Sequence, residues 1–132
     1  MQNIVFWFRN DLRLHDNEAF LEASKSGNVI PVYVFDTRYF EKNFLGFKRT
    51  GAFRTKFLIE AVEDLRKNLQ AIGSDLIIRT GHADEVIAQI AADSEAAAVY
   101  ASKEVTQDET TIEALLAKQI KPLNIEIELI WT

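Results

Sequence analysis

Ile4-Val5-Phe6-Trp7-Phe8 runs directly into Arg9-Asn10-Asp11-Leu12-Arg13-Leu14-His15-Asp16-Asn17. An apolar stretch of strand length, β-branched and aromatic on both faces, ends in a polar turn with two arginines and two aspartates. Strands apolar on both faces belong to parallel sheets covered by helices on either side. Asp16 or Asn17 then starts a helix over residues 17–26, with Asp16 favoured as its N-cap. Ala19, Phe20 and Ala23 turn inward, and Gly27 is placed to cap the end.

Outward from this opening, strand and helix signals alternate. Residues 29–35 form a second strand ending at Asp36, with Pro31 near its start, where a lost donor is tolerated. A long helix over 53–72 carries Phe57, Leu58, Ala61, Val62, Leu65, Leu69 and Ile72 at helical spacing and stops at Gly73. A short strand over 75–79 and a helix over 82–93 follow. Residues 96–101, rich in small side chains, suit a central strand. Thr106-Gln107-Asp108-Glu109 has capping-box spacing and opens a helix carrying Ile112, Leu115 and Leu116, which Pro122 breaks. A fifth strand over 125–130 begins with apolar and charged residues in alternation, as at a sheet edge.

These elements predict an α/β three-layer sandwich. Its five-stranded, mainly parallel sheet is Rossmann-like, with strand order 3-2-1-4-5 and right-handed crossovers. The 132 residues are one domain's worth of chain, and 48% hydrophobic composition supplies a core. The absence of cysteine excludes disulfides and thiolate metal sites, and two isolated histidines make no metal site. No apolar run approaches the ~20 residues that cross a membrane, and the first strand begins too early for a targeting segment, so a soluble cytoplasmic domain is expected. A net charge of −5 argues against this domain being a main DNA-binding surface.

Chemistry is expected at the carboxyl ends of the first and fourth strands. In a 3-2-1-4-5 sheet the chain reverses direction between them, and ligands bind in that crevice. Arg9, Asn10 and Asp11 would face Lys103 and Glu104 across it, with Asp36 ending the neighbouring strand. The bland alternatives are an Arg–Asp network that ties down the turn and a solvated loop charge at Glu104. Glu109 is assigned to the capping box, and His15 to structure or solvent. The loop over 37–51 holds Tyr39, Phe40, Phe44 and Phe47 among Arg38, Lys42, Lys48 and Arg49. It reads either as a stacking platform for single strands or, as the acidity favours, as an interface with another domain. Neither G-x-G-x-x-G nor a P-loop is present, so dinucleotide and triphosphate sites of those kinds are not expected.

The opening resembles the start of the photolyase/cryptochrome family, a strand followed by W-F-R-x-D-L-R-x-x-D-N. Val29 to Asp36 is similar to its V-I-P-V-Y-V-F-D strand. Thr50-Gly51-Ala52-Phe53-Arg54, Gly73-Ser74-Asp75-Leu76 and Lys103-Glu104-Val105-Thr106 continue the series in order. The T-G-A-x-R and K-E-V-T segments look most like DASH cryptochromes. Ser102, where histidine is common, and Gly46-Phe47-Lys48-Arg49 depart from that branch.

The resemblance implies that residues 1–132 are an amino-terminal antenna-binding α/β domain. Its chromophore, often methenyltetrahydrofolate, would be contacted by Glu104, with Lys103, Arg9, Asn10, Asp11 and Asp36 around it. The partner it implies is a helical domain of the same parent chain, absent from this stretch, that holds FAD and the DNA site. The parent would be a deoxyribodipyrimidine photolyase, a carbon–carbon lyase that splits a flipped-out pyrimidine dimer with light-excited flavin, or a blue-light sensor. The fragment alone would have no catalytic residue, and its aromatic loop, left uncovered, would self-associate. Two rival readings are an ATP-binding domain like those of small stress proteins and a docking module without a ligand.

Overall fold

The computed structural model describes the chain except residues 1, 10, 11, 13, 15, 16, 38–50, 105, 106 and 132, with backbone only at 51–55 and 108. The elements run β1 (Asn3–Phe8), α1 (Glu18–Ser26), β2 (Asn28–Asp36), α2 (Gly51–Ala71), β3 (Ile77–Gly81), α3 (Ala83–Asp93), β4 (Ala98–Ser102), α4 (Gln107–Ile120) and β5 (Glu126–Ile130). All the strand pairs are parallel, and the order is β3-β2-β1-β4-β5, as expected. The first strand in sequence is therefore the middle of the sheet, and its side chains divide the core in two.

Val5 and Trp7 face α3 and α4, meeting Ile87, Ala91, Ile112, Leu116 and Ile120. Ile4, Phe6 and Phe8 face α1 and α2, meeting Ala19, Ala23, Val62, Leu65 and Leu69. Phe6 is nearly perpendicular to Phe20 at 5.2 Å between ring centroids, an edge-to-face geometry favoured by the ring quadrupoles. At the β5 edge Glu126 and Glu128 are exposed while Ile127 and Leu129 are half-buried, which is the alternation that a one-sided edge strand requires. Among the described residues no helix is long and apolar enough to cross a membrane.

Several local expectations change. Asn17, not Asp16, caps α1: its Oδ1 accepts the Phe20 N–H at 3.0 Å, and its side chain is buried. Asp16 lies outside the described residues. Asn17→Ala is expected to cost about 1 kcal/mol, read as a lowered denaturation midpoint, with Asn17→Asp retaining most of the stability. Asp75 is not a strand residue. It pairs with Arg66 at 2.8 Å and accepts the Leu76 N–H, and β3 starts only at Ile77. The Arg66 guanidinium, then the Leu76 N–H, hold the Asp75 carboxyl below its ordinary value.

On α2, Val62, Leu65 and Leu69 are buried, but Phe57 and Ile72 are 69% and 65% exposed. Phe57 stands about 140° around the helix from Val62, and Ile72 falls in the turn after the last helical residue. That turn is a Schellman motif, as Gly73 led one to expect. Gly73 has φ +87°, Ser74 N–H donates to Leu69 O at 2.9 Å, and Gly73 N–H donates to Gln70 O at 3.1 Å. Gly27 does something else. Its φ of 168° is extended backbone, so it is no left-handed cap. α4 ends at Ile120 and passes into a 3-10 turn, Lys121–Leu123, that carries Pro122.

Candidate functional site

The carboxyl ends of β1 and β4 lie side by side, since Trp7 pairs with Ala101. Just past its last strand residue, each strand releases a charged side chain: Arg9 after β1, Lys103 and then Glu104 after β4. Over both lies α4, and Glu113 on it joins them. One Glu113 oxygen pairs with Arg9 Nη1, the other with Lys103 Nζ. Oε2 also accepts the Glu104 backbone N–H at 3.2 Å. Glu113 and Arg9 are only 4% and 8% exposed.

Arg9 has little left to offer a ligand. Its Nη2 donates to the Glu109 carbonyl at 3.1 Å, and Nη1 reaches Ser102 O at 3.4 Å. The guanidinium also stacks over Trp7, 4.4 Å from the ring centroid, a cation–π contact. Burial pushes the Glu113 carboxyl up. Lys103, Arg9 and the Glu104 N–H together outweigh that and hold it below its ordinary value, so it is an anion at neutral pH.

Glu113 was missed on the sequence, although a signal was present. It lies three residues before Leu116 and seven before Ile120, on the apolar stripe of α4, all three being buried. A carboxylate in such a stripe has to be paired.

The structure thus brings Arg9, Lys103 and the Glu104 backbone together on Glu113, while Asp36 caps α3. Asp36 pairs in register with Gly81, is 4% exposed, and accepts the Ala83 N–H at 3.0 Å, capping α3 across the loop. Lys103 and Glu104 are half-buried at the strand end. Asn10, Asp11, His15 and the aromatic-basic set Tyr39, Phe40, Phe44, Phe47, Lys48 and Arg49 lie outside the described residues. Two surface grooves contain none of the strand-end cluster. One of about 440 Å³ lies between the end of α4 and the start of β5, the other of about 500 Å³ between α1 and α2. Among the described residues no buried polar side-chain atom lacks a hydrogen-bond partner.

Comparison with known proteins gives one consistent picture. Residues 4–132 match the family described as DNA photolyase. The chain is 43% identical over 131 residues to a cryptochrome DASH of Gloeobacter violaceus, covering 98% of this chain and 26% of that protein. A crystal structure of a Synechocystis cryptochrome superposes with a TM-score of 0.92 at 42% identity, covering 98% of this chain and 27% of the other. A photolyase of the archaeon Sulfolobus tokodaii superposes with a TM-score of 0.86 at 28% identity, again over 98% of this chain and 29% of the other. That protein was crystallised with two FAD molecules and is described as implying a novel light-harvesting cofactor. The chain therefore spans about a quarter of the length of the relatives it matches.

Proposed function

The chain belongs to the DNA photolyase family, and from that premise we propose that residues 1–132 are the antenna-holding amino-terminal domain of a DASH-type protein. The parent would carry FAD in a helical domain and use light either to repair pyrimidine dimers in DNA or to signal. The observation that supports an antenna site here is the fixed end of β4. The Glu104 amide is tied to buried Glu113 at the point where the sheet reverses its winding, the usual ligand position in such sheets.

The donor set fits a reduced folate in part. A pterin ring presents neighbouring N–H donors, and a carboxylate can accept two of them at once, the role proposed for half-buried Glu104. Arg9, with its guanidinium committed inside the protein, is a support for the site and not a contact. Lys103, bound to Glu113, is at most a peripheral one, and Asp36 belongs to the α3 cap. When bound, the chromophore would supply light absorption and pass excitation energy to the flavin. Tyr39, Phe40, Phe44, Phe47, Lys48 and Arg49, which lie outside the described residues, are proposed to receive the helical domain.

Titration with methenyltetrahydrofolate, FAD and ATP in separate arms, read by absorbance and calorimetry, tests this reading. Weak folate binding is expected, reduced about tenfold by Glu104→Ala, the worth of one good hydrogen-bonding group, with no ATP binding. Tight ATP binding, FAD binding in preference to folate, or folate binding indifferent to Glu104→Ala would each overturn the assignment.

A further inference from the structure

The buried cluster beneath Glu104 is more elaborate than packing requires. A buried ion pair is no efficient source of stability, since apolar residues of like volume often serve as well or better. What it does provide is geometry. Glu113 uses both oxygens to fix three groups on two neighbouring strand ends: Arg9 after β1, then Lys103 and the Glu104 N–H after β4. The helix that carries Glu113 is itself pinned at Leu116 and Ile120, both fully buried. The Glu104 backbone therefore leaves the sheet in a direction set by a side chain that does not reach the ligand crevice.

We propose that Glu113 is a positioning residue for the antenna site. By accepting the Glu104 N–H at 3.2 Å while held by Arg9 and Lys103, it orients the Glu104 carboxylate toward the bound pterin. The inference rests on the reading of Glu104 as the folate contact and adds a residue behind it. Glu113 shows no role of its own toward the chromophore, being 4% exposed.

The experiment is a double-mutant cycle on the chain, with methenyltetrahydrofolate as probe and the Glu104 amide resonance as a readout independent of the ligand. Glu113→Gln keeps the shape and removes the charge. Glu113→Asp keeps the charge against Arg9 but shortens its reach by one methylene, and guards against a Glu113→Gln protein that does not fold. In either variant the Glu104 amide proton is expected to move upfield and exchange faster. Folate affinity should fall about tenfold in the wild-type background and less than about twofold in Glu104→Ala, because residues acting through one contact are not additive. An unmoved Glu104 amide, or an equal fall in both backgrounds, overturns the positioning role and leaves the reading of Glu104 standing. Folate affinity unchanged by Glu104→Ala fails the underlying reading instead, and the positioning role with it.

Discussion

Arg9→Ala is expected to lower the unfolding free energy by about 3 kcal/mol, a fall of about 1–2 M in the urea midpoint for a domain of this size. The loss comes less from the missing attraction than from what remains. Glu113 stays buried with Lys103, whose side chain is 23% exposed, as its remaining cation; the carbonyls of Glu109 and Ser102 lose a donor; and the face of Trp7 loses its cation. Retention of Lys103 places the cost at the lower end of what breaking a buried pair entails. Arg9→Met combined with Glu113→Leu should recover part of the loss, since the two most buried charges leave together and Lys103, which loses its carboxylate, is 23% exposed to water. If Arg9→Ala alone has a midpoint within experimental error of the wild type, the cluster contributes nothing to stability.

The same cluster sets an acid limit. Because the folded-state Glu113 carboxyl lies below its ordinary value of 4.5, the unfolded chain takes up that proton first as pH falls. The stabilisation is complete above about pH 4.5 and is lost as pH drops through the lower folded value. Wild-type stability should therefore decline on acidification with a component that Glu113→Gln lacks. A decline equally steep in that variant would assign the acid sensitivity to other carboxylates.

Gly27→Ala is expected to cost about 3 kcal/mol, at the upper end of what overpacking does. A Cβ there would lie 2.2 Å from the Gln2 carbonyl oxygen and 3.1 Å from Ile4 Cγ1. The obstacle is backbone, and it cannot easily move aside. The same Gln2 oxygen accepts the Asn28 N–H at 2.7 Å, and Asn3 O accepts the Ala97 N–H at 2.9 Å, which locks the start of β1 between β2 and β4. Gly73→Ala makes the informative contrast. Nothing lies within 4 Å of its absent Cβ, so only its φ of +87° resists substitution, at about 1 kcal/mol. Equal losses for the two glycines, by equilibrium denaturation, would refute the distinction between a steric and a dihedral requirement.

Those two glycines also show how far sequence reading extends. Both follow a helix, and by pattern both are C-caps. Both end a helix, but only Gly73 does so in the left-handed conformation, because a local motif tells where a helix ends but not which strand passes beside the next residue. The same division holds along the chain. Alternation of apolar strands with amphipathic helices pointed to five strands in a mainly parallel sheet covered by helices, from periodicities that operate over a few residues, while the strand order is a property of the assembled sheet. The central place of β1 could be read from Ile4 to Phe8, apolar on both faces. The inward face of α2 was legible at Val62, Leu65 and Leu69 and not at Phe57 or Ile72, because a helix face narrower than its apolar residues is selected by the sheet beneath it.

The opening stretch by itself pointed to the family that the match over residues 4–132 shows. It did not reveal that Arg9 turns inward. That was decided by Glu113, 104 positions away in sequence, whose charge on an apolar stripe has to be matched by whichever cations the fold brings to it. A paired buried charge is a demand that sequence can register, but its partner is chosen by tertiary structure, since desolvation and proximity are properties of the packed state. For this reason the alternation of strands and helices was legible locally, while the inward turn of Arg9 onto Glu113 arose only when β1, β4 and α4 met.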